Sequence, residues 1–132
     1  EVVKTEETSK EVENEVLELV EETGKEHSLV KDSPGFVSNR ILMPLINEAV
    51  KALEEGVSRT EDIDKIAEKG LNHPMGPLKL ADFIGLDVCL DIMERIYEET
   101  GEERFRPAEL LEEKVEEGKL GKKSGKGFYS YN

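Results

Sequence analysis

The sequence predicts an all-α domain of five or six helices. Apolar residues recur at intervals of three and four over most of the chain, which is the period of a helix with one buried face. Capping patterns or prolines precede these segments and glycines follow them, as expected at helix starts and stops. The length of 132 residues fits one domain with a small core of its own.

The first helix is predicted to begin at Thr8, which forms a capping-box pattern with Glu11, and to end at Gly24. Its apolar face repeats at i, i+4, i+7 and i+8 and consists of Val12, Val16, Leu19 and Val20. The opening "EVVKT" is typical of a strand end followed by a turn, and it has no initiator Met. We therefore expect the chain to be a segment of a larger protein.

The second helix is expected to run from about residue 35 to residue 54 or 55. Pro34 suits its first position, where the missing N–H costs nothing, and Asp32 or Ser33 would be the N-cap. Pro44 lies inside this segment and should kink it.

Polar residues of the second helix divide between two sides. At about 100° per residue, one polar stripe is predicted to face solvent and consists of Arg40, Asn47, Lys51 and Glu54. Ile41 belongs to the opposite apolar arc, and Ser38 and Asn39 fall at or near the buried side. A buried amide is costly unless its groups are paired. Neighbouring backbone could pair with Asn39, or the side chain could face a ligand or another domain.

Four more helices are predicted in the second half of the chain. A capping box at Ser58 and Glu61 opens the first, which ends near Gly70. A short helix follows the two-proline loop of residues 71–77 and breaks at Gly85. A longer helix covers about residues 87–100, with Ile92, Ile96 and either Leu86 or Met93 facing inward.

The last predicted helix opens at Pro107, carries Leu110, Leu111 and Val115 on its apolar face, and ends at Gly118. The lysine-rich "GKKSGKG" after it lacks the Gly-Lys spacing of a phosphate-binding loop. We interpret it as a turn that leads into an aromatic anchor of Phe128, Tyr129 and Tyr131.

Composition excludes several classes of function. The 31 acidic and 18 basic residues give a net charge of −13, which disfavours binding to nucleic acid and to anionic membranes. The single cysteine, Cys89, allows neither an internal disulfide nor a thiolate zinc site, so a reducing cytoplasm is the expected location. The apolar runs are too short to span a bilayer.

Isolated motifs give no catalytic assignment. The lone histidines, His27 and His73, are more often structural than catalytic, and no HExxH or cysteine cluster indicates a metal site. The chain has no GxGxxG fingerprint, so it is not expected to bind a dinucleotide by itself. These motifs alone indicate only a soluble helical domain.

Six stretches, taken in order, resemble the C-terminal domain of the 3-hydroxyacyl-CoA dehydrogenases, in the 3-hydroxybutyryl-CoA dehydrogenase group: "EVV", "KDSPGFVSNR", "NEA", "DID", "HPMGPLKLADFIGLD" and "LGKKSGKGFYSY". The resemblance covers essentially the whole chain. It implies a helical fold like the C-terminal domain of 6-phosphogluconate dehydrogenase, with the Rossmann domain absent. Residues 1–7 would be the residual end of that Rossmann domain or a linker, and residues 8–132 the helical substrate-binding and dimerisation domain.

The resemblance also implies a function for the parent protein. The parent would be an NAD-dependent oxidoreductase of fatty acid β-oxidation that interconverts (S)-3-hydroxyacyl-CoA and 3-oxoacyl-CoA. NAD would bind to the Rossmann domain, so no cofactor site is expected in this chain, and the chain alone should be inactive. The acyl-CoA substrate would be shared with the missing domain, and the helical domain would form a homodimer.

Four residues match the site residues of this family. Its catalytic histidine lies upstream in an "HFFNP"-like stretch that this sequence lacks, and Glu1 matches the glutamate that orients and supports this base. Asn39 matches the asparagine of the "PGF-NR" motif, near the reacting oxygen. Pro74 and Met75 match the loop that flanks the acyl-CoA. Ser38 is interpreted as a structural residue.

Two other interpretations remain open. The chain could be a non-catalytic helical dimerisation module, isolated or engineered, and its heavy Glu and Lys usage fits a redesigned or thermophilic sequence equally well. A free-standing acyl-CoA-binding protein is less favoured, because the missing domain supplies half of the family's acyl-CoA pocket. The coding sequence before Glu1 would distinguish them, since an "HFFNP"-like motif and a GxGxxG there indicate the dehydrogenase.

Overall fold

The computed structural model describes residues 1–131, which form two compact units. The first unit is Glu1–Arg40, and the second begins at Ile41. Within the described residues there are six helices: α1 Lys10–Glu22, α2 Ser38–Glu54, α3 Thr60–Gly70, α4 Pro77–Ile84, α5 Leu86–Thr100 and α6 Glu109–Glu116. Two short strands accompany them, β1 Val2–Lys4 and β2 Leu29–Lys31. The predicted helical class is confirmed, with this two-stranded sheet as a minor addition.

The first unit is a βαβ arrangement. Strands β1 and β2 are parallel, with Val2 opposite Leu29, and α1 supplies the crossover that parallel strands require. Helix α1 begins at Lys10, and its N-cap lies one residue after the predicted Thr8. Its N-cap is Ser9, whose hydroxyl accepts from the Val12 N–H at 3.2 Å, while the Thr8 hydroxyl accepts from the Thr5 N–H.

Helix α2 begins at Ser38, three residues later than predicted. The Ser-Pro-Gly-Phe segment before it is a turn, because Gly35 and Phe36 have φ angles of 75° and 52°. A helix cannot pass through two residues in the left-handed region. The helix does continue through Pro44 to Glu54.

The predicted solvent-facing stripe of α2 is wrong at two positions. Asn47 is 0 % exposed, and Ile41, expected to be buried, is 66 % exposed. Burial of Asn47 is tolerated because its amide donates to the Arg106 carbonyl at 2.7 Å and accepts from the Ala108 N–H at 2.9 Å. Ser38, expected near the buried side, is exposed, and Asn39 is half-buried.

The core of the second unit lies where α2, α4, α5 and α6 contribute buried apolar residues: Met43, Ile46, Ala49, Val50, Leu78, Ala81, Leu86, Cys89, Met93, Ala108 and Leu111. The predicted break between α4 and α5 is confirmed at Gly85, whose φ of 110° lies in a region that glycine adopts without strain. Both Leu86 and Met93 face inward. For α3, Arg59 is the N-cap and no side chain caps it, so the Ser58 capping box is not formed.

The aromatic tail is anchored by buried carboxylates. Asp82 accepts from the Phe128 and Tyr129 N–H groups, each at 2.8 Å, and from the Tyr131 hydroxyl at 3.0 Å. Asp64 accepts from the Tyr129 hydroxyl at 2.8 Å. The tail is therefore an aromatic anchor, as predicted, and it is held by polar contacts as well as by packing.

Candidate functional site

Glu1 caps the N-terminus of α2. Its Oε1 accepts from the Val37 N–H at 2.8 Å and the Ser38 N–H at 3.2 Å, and its Oε2 accepts from the Ser38 hydroxyl. The first N–H groups of a helix have no partners within the helix, and its macrodipole favours a negative charge there. The Ser38 hydroxyl, followed by the Val37 N–H, lowers the pKa of the Glu1 carboxyl, which is therefore ionised at neutral pH.

The turn before α2 is strained. Phe36 is a bulky non-glycine residue at φ 52°, a conformation that L-residues rarely adopt. The Phe36 N–H donates to the Ser33 carbonyl at 2.9 Å, which closes the turn. The next two N–H groups, of Val37 and Ser38, have no acceptor in the turn and donate to the Glu1 carboxylate. Strain of this kind concentrates at functional sites.

Asn39 lies beside this cap on the first turn of α2. Its backbone N–H donates to the Gly35 carbonyl at 3.1 Å, and its side chain is half-buried. Within residues 1–131 the Asn39 amide makes no side-chain hydrogen bond, in contrast to Asn47 on the same helix. The amide of Asn39 is thus available to a ligand.

Pro74 and Met75 lie in the second unit, on the loop that joins α3 to α4. Pro74 is exposed and Met75 is half-buried. Glu68 fixes this loop by accepting from the Gly76 N–H at 3.1 Å. A Cβ atom on Gly76 would lie 2.2 Å from the Cβ of Asp64, so only glycine fits there.

Asp64 fixes the helix that follows the loop. Its carboxylate accepts from the Leu78 N–H at 2.8 Å and the Lys79 N–H at 2.9 Å, and so caps the N-terminus of α4. The third bond to this carboxylate is the one from Tyr129. The predicted loop is thereby held rigid on its α4 side.

The four predicted site residues thus fall in two places. Glu1 and Asn39 lie at the N-terminus of α2 in the first unit, and Pro74 and Met75 lie on the loop of the second. The sequence did not connect Ser38 with Glu1, because 37 positions separate them and no local pattern links them. The PGF motif was the available signal, since a glycine before a helix start indicates a turn that exposes N–H groups.

Two further residues with potentially reactive side chains, His27 and Cys89, have structural surroundings. His27 lies 3.0 Å from the Glu21 carboxylate. Burial raises the pKa of the Cys89 thiol to about 12, so it is not a nucleophile. Across residues 1–131 no group of three His, Cys, Asp or Glu side chains is placed to hold a metal ion. Over the same residues no helix has both the length and the apolar character to cross a membrane.

Comparison with known proteins places this arrangement in a family. The sequence model described as 3-hydroxyacyl-CoA dehydrogenase, C-terminal domain, matches residues 35–131. Proteins named probable 3-hydroxybutyryl-CoA dehydrogenase from Bacillus subtilis and Deinococcus radiodurans are each 53% identical over 131 residues. Those matches cover 99% of this chain and 46% and 47% of the two relatives.

A crystal structure of (S)-3-hydroxybutyryl-CoA dehydrogenase from Ralstonia eutropha superposes with a TM-score of 0.95 and is 47% identical. The match covers 98% of this chain and 46% of that one. The chain spans slightly less than half the length of the relatives it matches. The chain therefore belongs to the 3-hydroxyacyl-CoA dehydrogenase family, and its residues 35–131 correspond to the family's C-terminal domain.

Proposed function

We propose that the chain is the substrate-binding and dimerisation part of an NAD-dependent (S)-3-hydroxyacyl-CoA dehydrogenase, and that it is inactive by itself. The observation that carries this proposal is the N-terminus of α2. There an ionised carboxylate, Glu1, caps the helix turn that carries Asn39, whose side-chain amide has no partner among the described residues.

Glu1 has one hydrogen-bond acceptor position left for the histidine that the parent protein would supply. A carboxylate has about four acceptor positions, and three donors occupy those of Glu1. The open position is on Oε2 and can accept the N–H of an imidazole. In that role Glu1 fixes the tautomer of the base and stabilises the imidazolium formed when the base takes the 3-hydroxyl proton.

Asn39 is proposed to donate its amide N–H to the 3-oxygen of the substrate. That oxygen gains negative character as its proton leaves, so a donor at this position stabilises the transition state. NAD, bound to the Rossmann domain of the parent, would supply the acceptor for the hydride from C3 of the substrate. Pro74 and Met75 are proposed to line the acyl-CoA, on a loop that Glu68 and Asp64 hold in place.

The first unit supports a revised domain boundary. A parallel sheet is normally covered on both faces and belongs to a larger sheet. Val12, Val16 and Leu19 of α1 are nevertheless exposed, and the family model begins only at residue 35. We propose that residues 1–40, and not only residues 1–7, complete the Rossmann domain of the parent in the cytoplasm.

A homodimer is also proposed, and exposed apolar side chains on or beside α3 are the surface that supports it. The apolar side chains of α2 are largely used in the core of the second unit. Val57, Ile66 and Leu71 remain exposed on or beside α3. We expect Ile66→Lys to shift a dimer to a monomer in light scattering, whereas a chain that is monomeric at high concentration contradicts the proposal.

A grafting experiment tests the function. Acetoacetyl-CoA and NADH are added to the chain alone and to a hybrid in which the chain replaces the matched segment of the Bacillus subtilis relative. NADH loss should stay at the blank for the chain and rise for the hybrid. The unaltered relative is the control. A folded hybrid without activity would instead favour the non-catalytic dimerisation module. Turnover by the chain alone would contradict the proposal that catalysis needs the missing domain.

A further inference from the structure

A small pocket lies between α4 and the C-terminal tail within the second unit. It has a volume of about 190 Å³ and is lined by Met75, Lys79, Phe83, Lys122 and Tyr131. Pockets for drug-sized ligands have volumes of about 300–1,000 Å³. This one therefore has room for a single flat ring system such as a nucleobase, with the rest of the ligand and its charged groups at the rim.

The rim of the pocket is positively charged in a strongly acidic protein. Lys79 and Lys122 are both exposed, and within residues 1–131 neither forms an ion pair with a carboxylate. Neighbouring Lys123 differs, because its ammonium group donates to Asp87 at 2.6 Å. Two uncompensated cations at the mouth of one pocket, against a net charge of −13, favour an anion there.

The wall of the pocket is aromatic. Phe83 is 64 % exposed, although its ring is large and apolar. The Lys122 ammonium lies 5.6 Å from the ring centroid, within the range of a cation–π contact. Lys79 precedes Phe83 by four residues on α4, so both side chains lie on one face of that helix. The Tyr131 hydroxyl is turned toward Asp82, which leaves its ring to the pocket.

We infer that this pocket binds a ligand in which an aromatic ring carries an anionic group, as in a phosphorylated nucleoside. The ring stacks on Phe83, and the anionic group lies between the Lys79 and Lys122 ammonium groups. This chemistry has two sources, the nucleotide end of a coenzyme A thioester and a free nucleotide. The inference does not depend on dehydrogenase activity, and its test measures no turnover.

The methionine methyl groups provide the measurement. Met43 and Met93 are buried in the core, and Met75 is in the pocket wall. With methyl-labelled methionine, adenosine 3′,5′-bisphosphate should shift the Met75 signal saturably and leave the other two unchanged. Inorganic phosphate and adenosine carry only one half of the recognised chemistry, so each should bind about tenfold more weakly or worse.

Three variants and one control separate the contributions of the charged rim and the aromatic wall. Lys79→Gln and Lys122→Gln should each weaken the bisphosphate about fivefold, as expected for one exposed ionic contact. Phe83→Leu should weaken the bisphosphate and leave inorganic phosphate unchanged. Lys126→Gln, at an exposed lysine of the same tail that does not line the pocket, is the matched control and should change nothing.

The source of the ligand follows from a coenzyme A titration. A Met75 shift with coenzyme A at least as strong as with the bisphosphate assigns the pocket to the thioester, and a shift with the bisphosphate alone assigns it to a free nucleotide. The inference is overturned if no probe shifts Met75, if all three methyl signals shift together, or if Lys126→Gln has the same effect as Lys122→Gln. A Met75 signal that moves with protein concentration alone also overturns it, because a second copy then covers the pocket.

Discussion

The two units of the chain differ in how far their apolar side chains are buried. The second unit encloses a continuous core from four helices. In residues 1–40 the one buried side chain is charged Glu13, while Val12, Val16 and Leu19 of α1 are exposed. The candidate catalytic groups, Glu1 and Asn39, lie in the unit without a core. Stability and proposed chemistry are therefore located in different parts of the chain, which makes them separable by mutation.

A matched pair of leucines tests this difference with the largest expected effect. Leu111 is 0 % exposed and Leu19 is 60 % exposed. Leu111→Ala should lower the free energy of unfolding by about 2–5 kcal/mol, because it leaves a cavity in the core. Leu19→Ala should change it by no more than about 0.5 kcal/mol. Urea unfolding measures both, and equal losses would show that the first unit also has a tight core.

The carboxylate that holds the tail provides the next test. Asp82→Ala removes the acceptor for two backbone N–H groups and one hydroxyl, and should cost about 2–3 kcal/mol. Asp91 is exposed and, among residues 1–131, paired only with Arg95, so Asp91→Ala should cost less than about 1 kcal/mol. Thermal unfolding compares the two variants, and an Asp82→Ala protein as stable as Asp91→Ala would show that the tail is held by packing alone.

In the first unit the corresponding test is acidification. The Lys10 and Lys4 ammonium groups lower the pKa of Glu13 below its ordinary value of 4.5. The stabilisation from Glu13 is therefore complete above pH 4.5 and is lost as the pH falls through the lowered pKa. Backbone NMR signals of β1 and α1 should change in that range before those of the second unit, and Glu13→Gln should abolish this early transition. Simultaneous loss of both units would argue against it.

The smallest effect concerns Cys89, which is enclosed in the second unit. Because burial raises its thiol pKa to about 12, a disulfide reagent at pH 8 should leave the folded chain unmodified and label it only after unfolding in urea. Cys89→Ser is the blank for this assay. Rapid labelling of the native chain would mean that the core opens readily.

The sequence predicted the helices well because local signals determine them. The break at Gly85 and the end of α3 at Gly70 agree with the structure. The start of α2 was mispredicted. Pro34 suits the first position of a helix, and no local pattern indicates that Phe36 adopts a left-handed conformation. The sequence also placed Asn47 in solvent, because periodicity cannot foresee that Arg106 and Ala108 satisfy its amide.

For the site, resemblance supplied Glu1, Asn39, Pro74 and Met75, and their roles stay predictions. The contacts that hold them were not visible in the sequence. Glu1 reaches Ser38 across 37 positions, and Tyr129 reaches Asp64 across 65. Such pairs depend on the tertiary fold, so no local pattern indicates them.

The most direct measurement compares two asparagines of α2 in the active hybrid. Asn39→Ala should lower kcat by about tenfold or more, as expected for a lost transition-state donor, and leave the urea midpoint unchanged. Asn47→Ala should lower the midpoint and leave kcat unchanged in the folded fraction, because its bonds join α2 to the backbone near α6. The account is contradicted if Asn39→Ala unfolds the protein at lower urea while kcat stays at the level of the unaltered hybrid.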